Sequence, residues 1–160
     1  MSYIEESLTT GERILYRTGL HWIVLLVPGL FGGFFLLLGS VILIGGDGGS
    51  TGVGLLIGGF GALIIALAVM VRNATEMAVT SKRVIVKVGL LRRKTIELFL
   101  PRVESVRVEQ GLLGRMLGYG NIVVIGTGGT AEPFKNVRSP LEFRRQVQQQ
   151  GEDLIAMAAS

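Results

Sequence analysis

The sequence predicts an α+β membrane protein, a transmembrane α-hairpin followed by a small antiparallel β-barrel or sandwich that ends in one helix. Three observations carry that expectation. Between Trp22 and Val71 the only ionisable side chain is Asp47. Beyond Val71 charges become frequent and apolar residues alternate with polar ones, the period of a half-buried strand. Near the end, Ser139-Pro140-Leu141-Glu142 has the form of a capping box with proline at the first helical position.

The 160 residues are 49% hydrophobic and their mean hydropathy is positive, at +0.54. There is no cysteine, so disulfides, thiolate metal sites and a cysteine nucleophile are excluded. The single histidine, His21, rules out a multi-histidine metal site within one chain. The net charge of +4 is unevenly spread. Residues 72–160 hold 14 Lys/Arg against 8 Asp/Glu, whereas residues 1–21 are slightly acidic.

Residues 1–21 are expected to be a cytoplasmic lead-in and residues 22–71 a hairpin, with spans at 22–44 and 52–71 and an external loop at 45–51. Trp22–Ile44 is 23 residues without a charge. At ~1.5 Å per residue it reaches about 35 Å, enough for a hydrocarbon core of ~30 Å. Gly52–Val71 is 20 residues, about 30 Å. Pro28 is a candidate bend in the first span. The linker Gly45-Gly46-Asp47-Gly48-Gly49-Ser50-Thr51 is too polar and flexible to be helix. It carries one acid and no cation, while Arg13 and Arg17 precede the first span and Arg72, Lys82 and Arg83 follow the second. The positive-inside rule then places both termini in the cytoplasm and the loop outside the inner membrane. A signal peptide does not fit: the leader is acidic, the apolar run is too long, and no alanine precedes Ala62 to form a cleavage site. Gly29/Gly33 and Gly54/Gly58 are small-xxx-small pairs suited to helix packing, within the hairpin or between copies.

Residues 72–160 are expected to be a cytoplasmic domain. Strands are predicted at Thr75–Thr80, Arg83–Val88, Lys94–Leu100, Val103–Glu109, Asn121–Ile125 and Pro133–Asn136. In the second, Val84, Val86 and Val88 face one way and Arg83, Ile85 and Lys87 the other. A short helical turn is expected within Gly111–Gly120. The final helix should place Leu141, Phe143, Val147, Leu154 and Ile155 near one face, with Gly151 as a possible break.

Four stretches carry a family likeness. They are Gly11-Glu12-Arg13-Ile14-Leu15-Tyr16-Arg17 with His21-Trp22; Val79-Thr80-Ser81-Lys82-Arg83-Val84-Ile85-Val86; Leu90-Leu91-Arg92-Arg93-Lys94-Thr95 continuing to Leu100-Pro101-Arg102-Val103-Glu104-Ser105-Val106; and Gln110-Gly111-Leu112-Leu113-Gly114-Arg115-Met116-Leu117-Gly118-Tyr119-Gly120. Phe134-Lys135-Asn136-Val137 and Phe143-Arg144-Arg145 close the match. Over residues 11–147 the chain resembles bacterial membrane proteins with a pleckstrin-homology (PH)-like domain behind two transmembrane helices. The resemblance implies a PH-like fold and oligomer formation, and brings no settled activity.

Candidate sites follow. Lys82, Arg83, Lys87, Arg92, Arg93 and Lys94 form a basic edge able to meet lipid or another anion, since cations near an anionic leaflet contribute about 1 kcal/mol each. Leu112, Leu113, Met116, Leu117 and Tyr119 form either a hydrophobic surface for a partner or the bilayer, or a plug over the barrel end. Gly126-Thr127-Gly128-Gly129 lacks the Lys-Ser/Thr of a phosphate loop and reads as a hairpin turn. His21 reads as an interfacial residue beside Trp22, and Asp47 as a solvated acid. No catalytic set, metal site or cofactor is expected. The leading expectation is a non-enzymatic, membrane-anchored module that self-associates and scaffolds protein partners. Anionic-lipid sensing through the 82–94 edge is the alternative, with an oligomeric channel third. Membrane lipids, copies of the chain and unidentified proteins are the expected contacts, and nucleic acid is not.

Overall fold

The computed structural model describes residues 3–46, 48–89, 94–127, 129 and 131–159. The chain divides into two compact units: residues 22–73, and residues 1–21 together with 74–160.

In the first unit a 3-10 turn at Trp22–Leu25 leads into α2, Leu26–Gly45, and α3 follows at Thr51–Asn73. Both are of membrane-spanning length and composition, with mean hydropathies of 2.3 and 2.5. Counted with the 3-10 turn, the helical spans Trp22–Gly45 and Thr51–Asn73 exceed the sequence estimate at Gly45, Thr51, Arg72 and Asn73, because glycine and polar residues at their ends still make helical bonds. Pro28 lies in the first turn of α2, where an amide would have no intrahelical acceptor, so its missing N–H is not felt. The helices pack antiparallel on glycine. Gly32 and Gly39 are the buried residues of α2, and Gly54 and Gly61 those of α3, each pair seven residues apart. A methyl group at Gly39 would fall 2.6 Å from the Gly58 amide nitrogen and one at Gly61 2.5 Å from the Gly32 carbonyl oxygen. Phe35 and Phe60 meet edge-to-face at 5.3 Å. The expected glycine pairs are therefore corrected in part. Gly54 lies in the seam, and Gly58 offers its backbone to Gly39. A methyl at Gly29 or Gly33 would meet nothing, because both lie about a quarter-turn from that seam.

In the second unit the seven strands form two antiparallel sheets and, among the described residues, no closed barrel. One sheet has the order β1 (Ile14–Gly19), β2 (Glu76–Thr80), β3 (Arg83–Val88), β4 (Lys94–Phe99). The other has β5 (Val103–Glu109), β6 (Tyr119–Gly126), β7 (Ala131–Arg138). A bridge from Leu20 to Val137 joins them. The two units divide after residue 21 as expected, but residues 1–21 are not a segment of their own: β1 pairs with β2 along its length, so they belong to this unit.

The alternation fills the core as expected on one face. Met77, Val79, Val84 and Val86 meet Val106, Ile122, Val124, Phe134 and Val137 of the other sheet. α5, Pro140–Ala159, adds Phe143 and Val147 one turn apart, with Leu154 packed against them. Leu141 and Ile155 are exposed, so the buried stripe is narrower than predicted. Gly151 does not break the helix. Nor does Glu142 fold back to close a capping box: its carboxylate accepts from Gln146 at 3.0 Å and pairs with Arg145. The outer face of β2 and β3 is covered too. A short helix α1, Tyr3–Glu6, sets Ile4 against Ala78 and Ile85, with Ile14 beside them, which makes a second small core.

Candidate functional site

The basic edge divides once the N-terminal segment is in place. Arg83 faces outward from β3, as the alternation requires, but residues 4–12 lie over that face and bury it to 8% exposure. Its guanidinium grips Glu12 with two bonds, Nε to Oε1 at 3.0 Å and Nη2 to Oε2 at 2.9 Å. Nη1 donates to Glu97 at 2.6 Å and Nη2 to the Ser7 carbonyl at 2.7 Å. Thr80 Oγ1 donates to Glu12 at 2.6 Å, and the Thr9 amide and hydroxyl both donate at 2.9 Å. Burial by itself would raise the Glu12 carboxyl, but the bonds from Arg83, then Thr80 and Thr9, outweigh it and hold the group down at about 2. The hydrogen bond to Glu12 raises Arg83 above its ordinary value, against the opposing effect of burial. Arg83 is thus a clasp between the N-terminal segment and the sheet, and it is removed from the exposed basic edge. Lys82 is exposed and donates to the Thr10 carbonyl at 3.2 Å. Lys87 is half-buried and engaged. Arg92, Arg93 and the Lys94 side chain lie outside the described residues, as does Asp47.

The strand registers sort the loops into two ends. Gly19 stands opposite Glu76, Glu76 opposite Lys87, and Val88 opposite Lys94. Glu109 stands opposite Asn121, and Tyr119 opposite Arg138. One end therefore holds His21 and Ala74, where the chain leaves for residue 22 and returns from residue 73, together with the β5–β6 connection. The Ser81–Lys82 turn, Leu100–Arg102 and Thr127 lie at the other end, tied by Leu100 N–H to the Lys82 carbonyl at 3.1 Å and Thr127 N–H to the Arg102 carbonyl at 2.8 Å. Gly129 N–H bonds back to the Gly126 carbonyl, so the described part of that segment is a hairpin turn.

The β5–β6 connection is a six-residue helix, α4, Leu112–Leu117. Gly118 ends it in the left-handed conformation, at φ +75°, and donates to the Gly114 carbonyl. The helix packs on the domain through glycine: a methyl at Gly114 would sit 2.6 Å from the Tyr119 carbonyl oxygen. Gln110 Nε2 locks the turn by donating to Tyr119 at 2.9 Å. With the small face inward, the apolar face points out. Leu112 is 81% exposed, Leu113 65%, Met116 83% and Leu117 43%. The plug reading is corrected accordingly, because these side chains cover no barrel end. Tyr119 departs from the other four by turning in to stack on His21, rings 5.2 Å apart and 23° from parallel. His21 is buried, not interfacial, and its amide donates to the Asn136 carbonyl at 2.8 Å.

Sequence reasoning missed the Glu12–Arg83 clasp and the His21–Tyr119 stack. A signal for the first was present: Arg83 shares its strand face with Ile85, and an isoleucine there asks for a cover. The second joins residues 98 positions apart and left no local trace.

The family model described as bacterial PH domain matches residues 23–151. No curated protein and no solved structure matches the chain.

Proposed function

Because the chain belongs to the bacterial PH domain family, we propose that it is a membrane-anchored, non-catalytic interaction module that assembles with copies of itself and holds protein partners at the inner membrane surface. The observation that carries the anchoring is the outer surface of α2 and α3. Side chains such as Leu30, Phe31, Leu37, Ile44, Leu55 and Leu56 are more than half exposed, and nothing among the described residues of the unit covers them. In water such a surface would drive aggregation, whereas in a bilayer it is matched by lipid tails. Both chain crossings leave the PH-like unit at one end, which suits a domain held by a hairpin with its termini on the cytoplasmic side.

Two features support an interaction role over catalysis. The strongly displaced carboxylate, Glu12, is enclosed and engaged by its own chain, which suits structure and not chemistry. Among the described residues β4 and β5 each pair on one side only, leaving sheet edges on which another strand can add. Sizing the purified chain in mild detergent by native mass measurement, with crosslinking in native membranes, tests the reading. Oligomers in both are expected. A strict monomer in both contradicts self-association.

A further inference from the structure

From the geometry of α4 we infer that the β5–β6 connection is a lipid-docking wedge, which inserts Leu112, Leu113, Met116 and Leu117 into the leaflet on the domain's own side of the membrane. The inference rests on the anchoring reading above and adds a contact that the hairpin does not itself supply.

An amphipathic helix at the edge of a domain ordinarily turns its apolar face inward. α4 is built the other way. Positions 112, 113, 116 and 117 form one contiguous arc, while Gly114 sits against the Tyr119 carbonyl. The Gly118 cap and the Gln110 bond fix that orientation, so the exposure is part of the turn's construction.

The occupant follows from where the turn lies. The strand registers put α4 at the end of the sheets where the chain departs at His21 and re-enters at Ala74. Tyr119, two residues beyond the helix, stacks on His21, one peptide bond from Trp22 and the first apolar segment. A turn stacked on the residue that precedes the first apolar segment is tethered close in the chain to the lipid that segment would enter. Arg115 and Arg138 are exposed at this end, and Glu109 is the exposed acid on the adjoining strand end. A short apolar arc with flanking arginines suits insertion to the headgroup–acyl boundary, about 5–10 Å deep.

The chain lacks cysteine, so single reporters can be placed in the full-length protein. Leu113→Cys and Met116→Cys report on α4, Thr127→Cys on the opposite end, and Leu63→Cys on the lipid face of α3. All four sites are exposed, so the substitutions leave the packing intact. Each is labelled with bimane and reconstituted into phosphatidylethanolamine–phosphatidylglycerol vesicles with bromine at shallow or deep acyl positions. The expected result is loss of emission at 113 and 116 with shallow bromine, loss at 63 with deep bromine, and none at 127. Loss at 63 alone overturns the wedge and leaves the anchoring intact. No loss at any site overturns the anchoring and the wedge together. Shielding of 113 and 116 from aqueous iodide without quenching by bromolipid assigns α4 to a protein contact and overturns lipid docking.

Discussion

Replacing Glu12 by glutamine leaves the shape of the clasp and removes its negative charge. The carboxylate is wholly inaccessible and its affinity for a proton falls from an ordinary 4.5 to about 2 in the folded chain. At ~1.4 kcal/mol for each factor of ten, that difference is worth about 3 kcal/mol. The substitution also strands part of the Arg83 charge in a buried place, and breaking such a pair costs about 3–5 kcal/mol. Hydrogen exchange of the β1–β3 amides in detergent is the assay. A loss of about 3 kcal/mol speeds exchange through unfolding on the order of a hundred-fold. The pH dependence has a definite sign. A carboxyl held low in the folded state stabilises the fold above its unfolded value, so the contribution is complete above about pH 4.5. It fades as pH falls and is gone near pH 2. The Glu12→Gln protein lacks that limb. Glu12→Leu combined with Arg83→Met, which removes both charges, should lie nearer the parent than Glu12→Gln alone. A Glu12→Gln stability within about 0.5 kcal/mol of the parent, the range of an ordinary surface change, refutes the reasoning.

Three further predictions concern packing. Gly39→Leu should separate α2 from α3, because its Cβ would meet the backbone at Gly54 and Gly58, whereas Gly29→Leu should be tolerated; crosslinking between cysteines placed on the two helices distinguishes them. Phe143→Ala, at a site 1% exposed beneath both sheets, should cost about 3–5 kcal/mol of stability in the PH-like unit, read by denaturant titration. Gly118→Ala forces a Cβ into the left-handed region and should cost about 1 kcal/mol, with faster exchange confined to α4 and the start of β6.

What the sequence made legible followed from period. Uncharged runs marked α2 and α3, alternation marked β2 to β6, and Ser139-Pro140 marked the start of α5. β1 was missed because Ile14–Gly19 reads as a charged lead-in, and it becomes a strand only through pairing with residues more than 55 positions away. The glycine seam was placed about a quarter-turn off on α2, since Gly29 and Gly33 lie beside Gly32 and Gly39 around the helix. Composition cannot tell Gly29 from Gly32; the partner helix decides. α4 was legible as a helical turn but not in its orientation. Its apolar residues resemble a core stripe until Gly114 is seen against Tyr119. Arg83 was assigned to an anion-binding edge from local charge density, and a glutamate 71 positions earlier claims it instead.

The central claim is a PH-like domain held at the cytoplasmic face by a hairpin that crosses the membrane twice. Gly49→Cys, in the turn between α2 and α3, and Thr127→Cys, at the far end of the domain, probe it directly in the cysteine-free chain. A membrane-impermeant maleimide is added to right-side-out and inside-out membrane vesicles. The account predicts that residue 49 labels only in right-side-out vesicles and residue 127 only in inside-out ones. Labelling of both residues from the same side contradicts it.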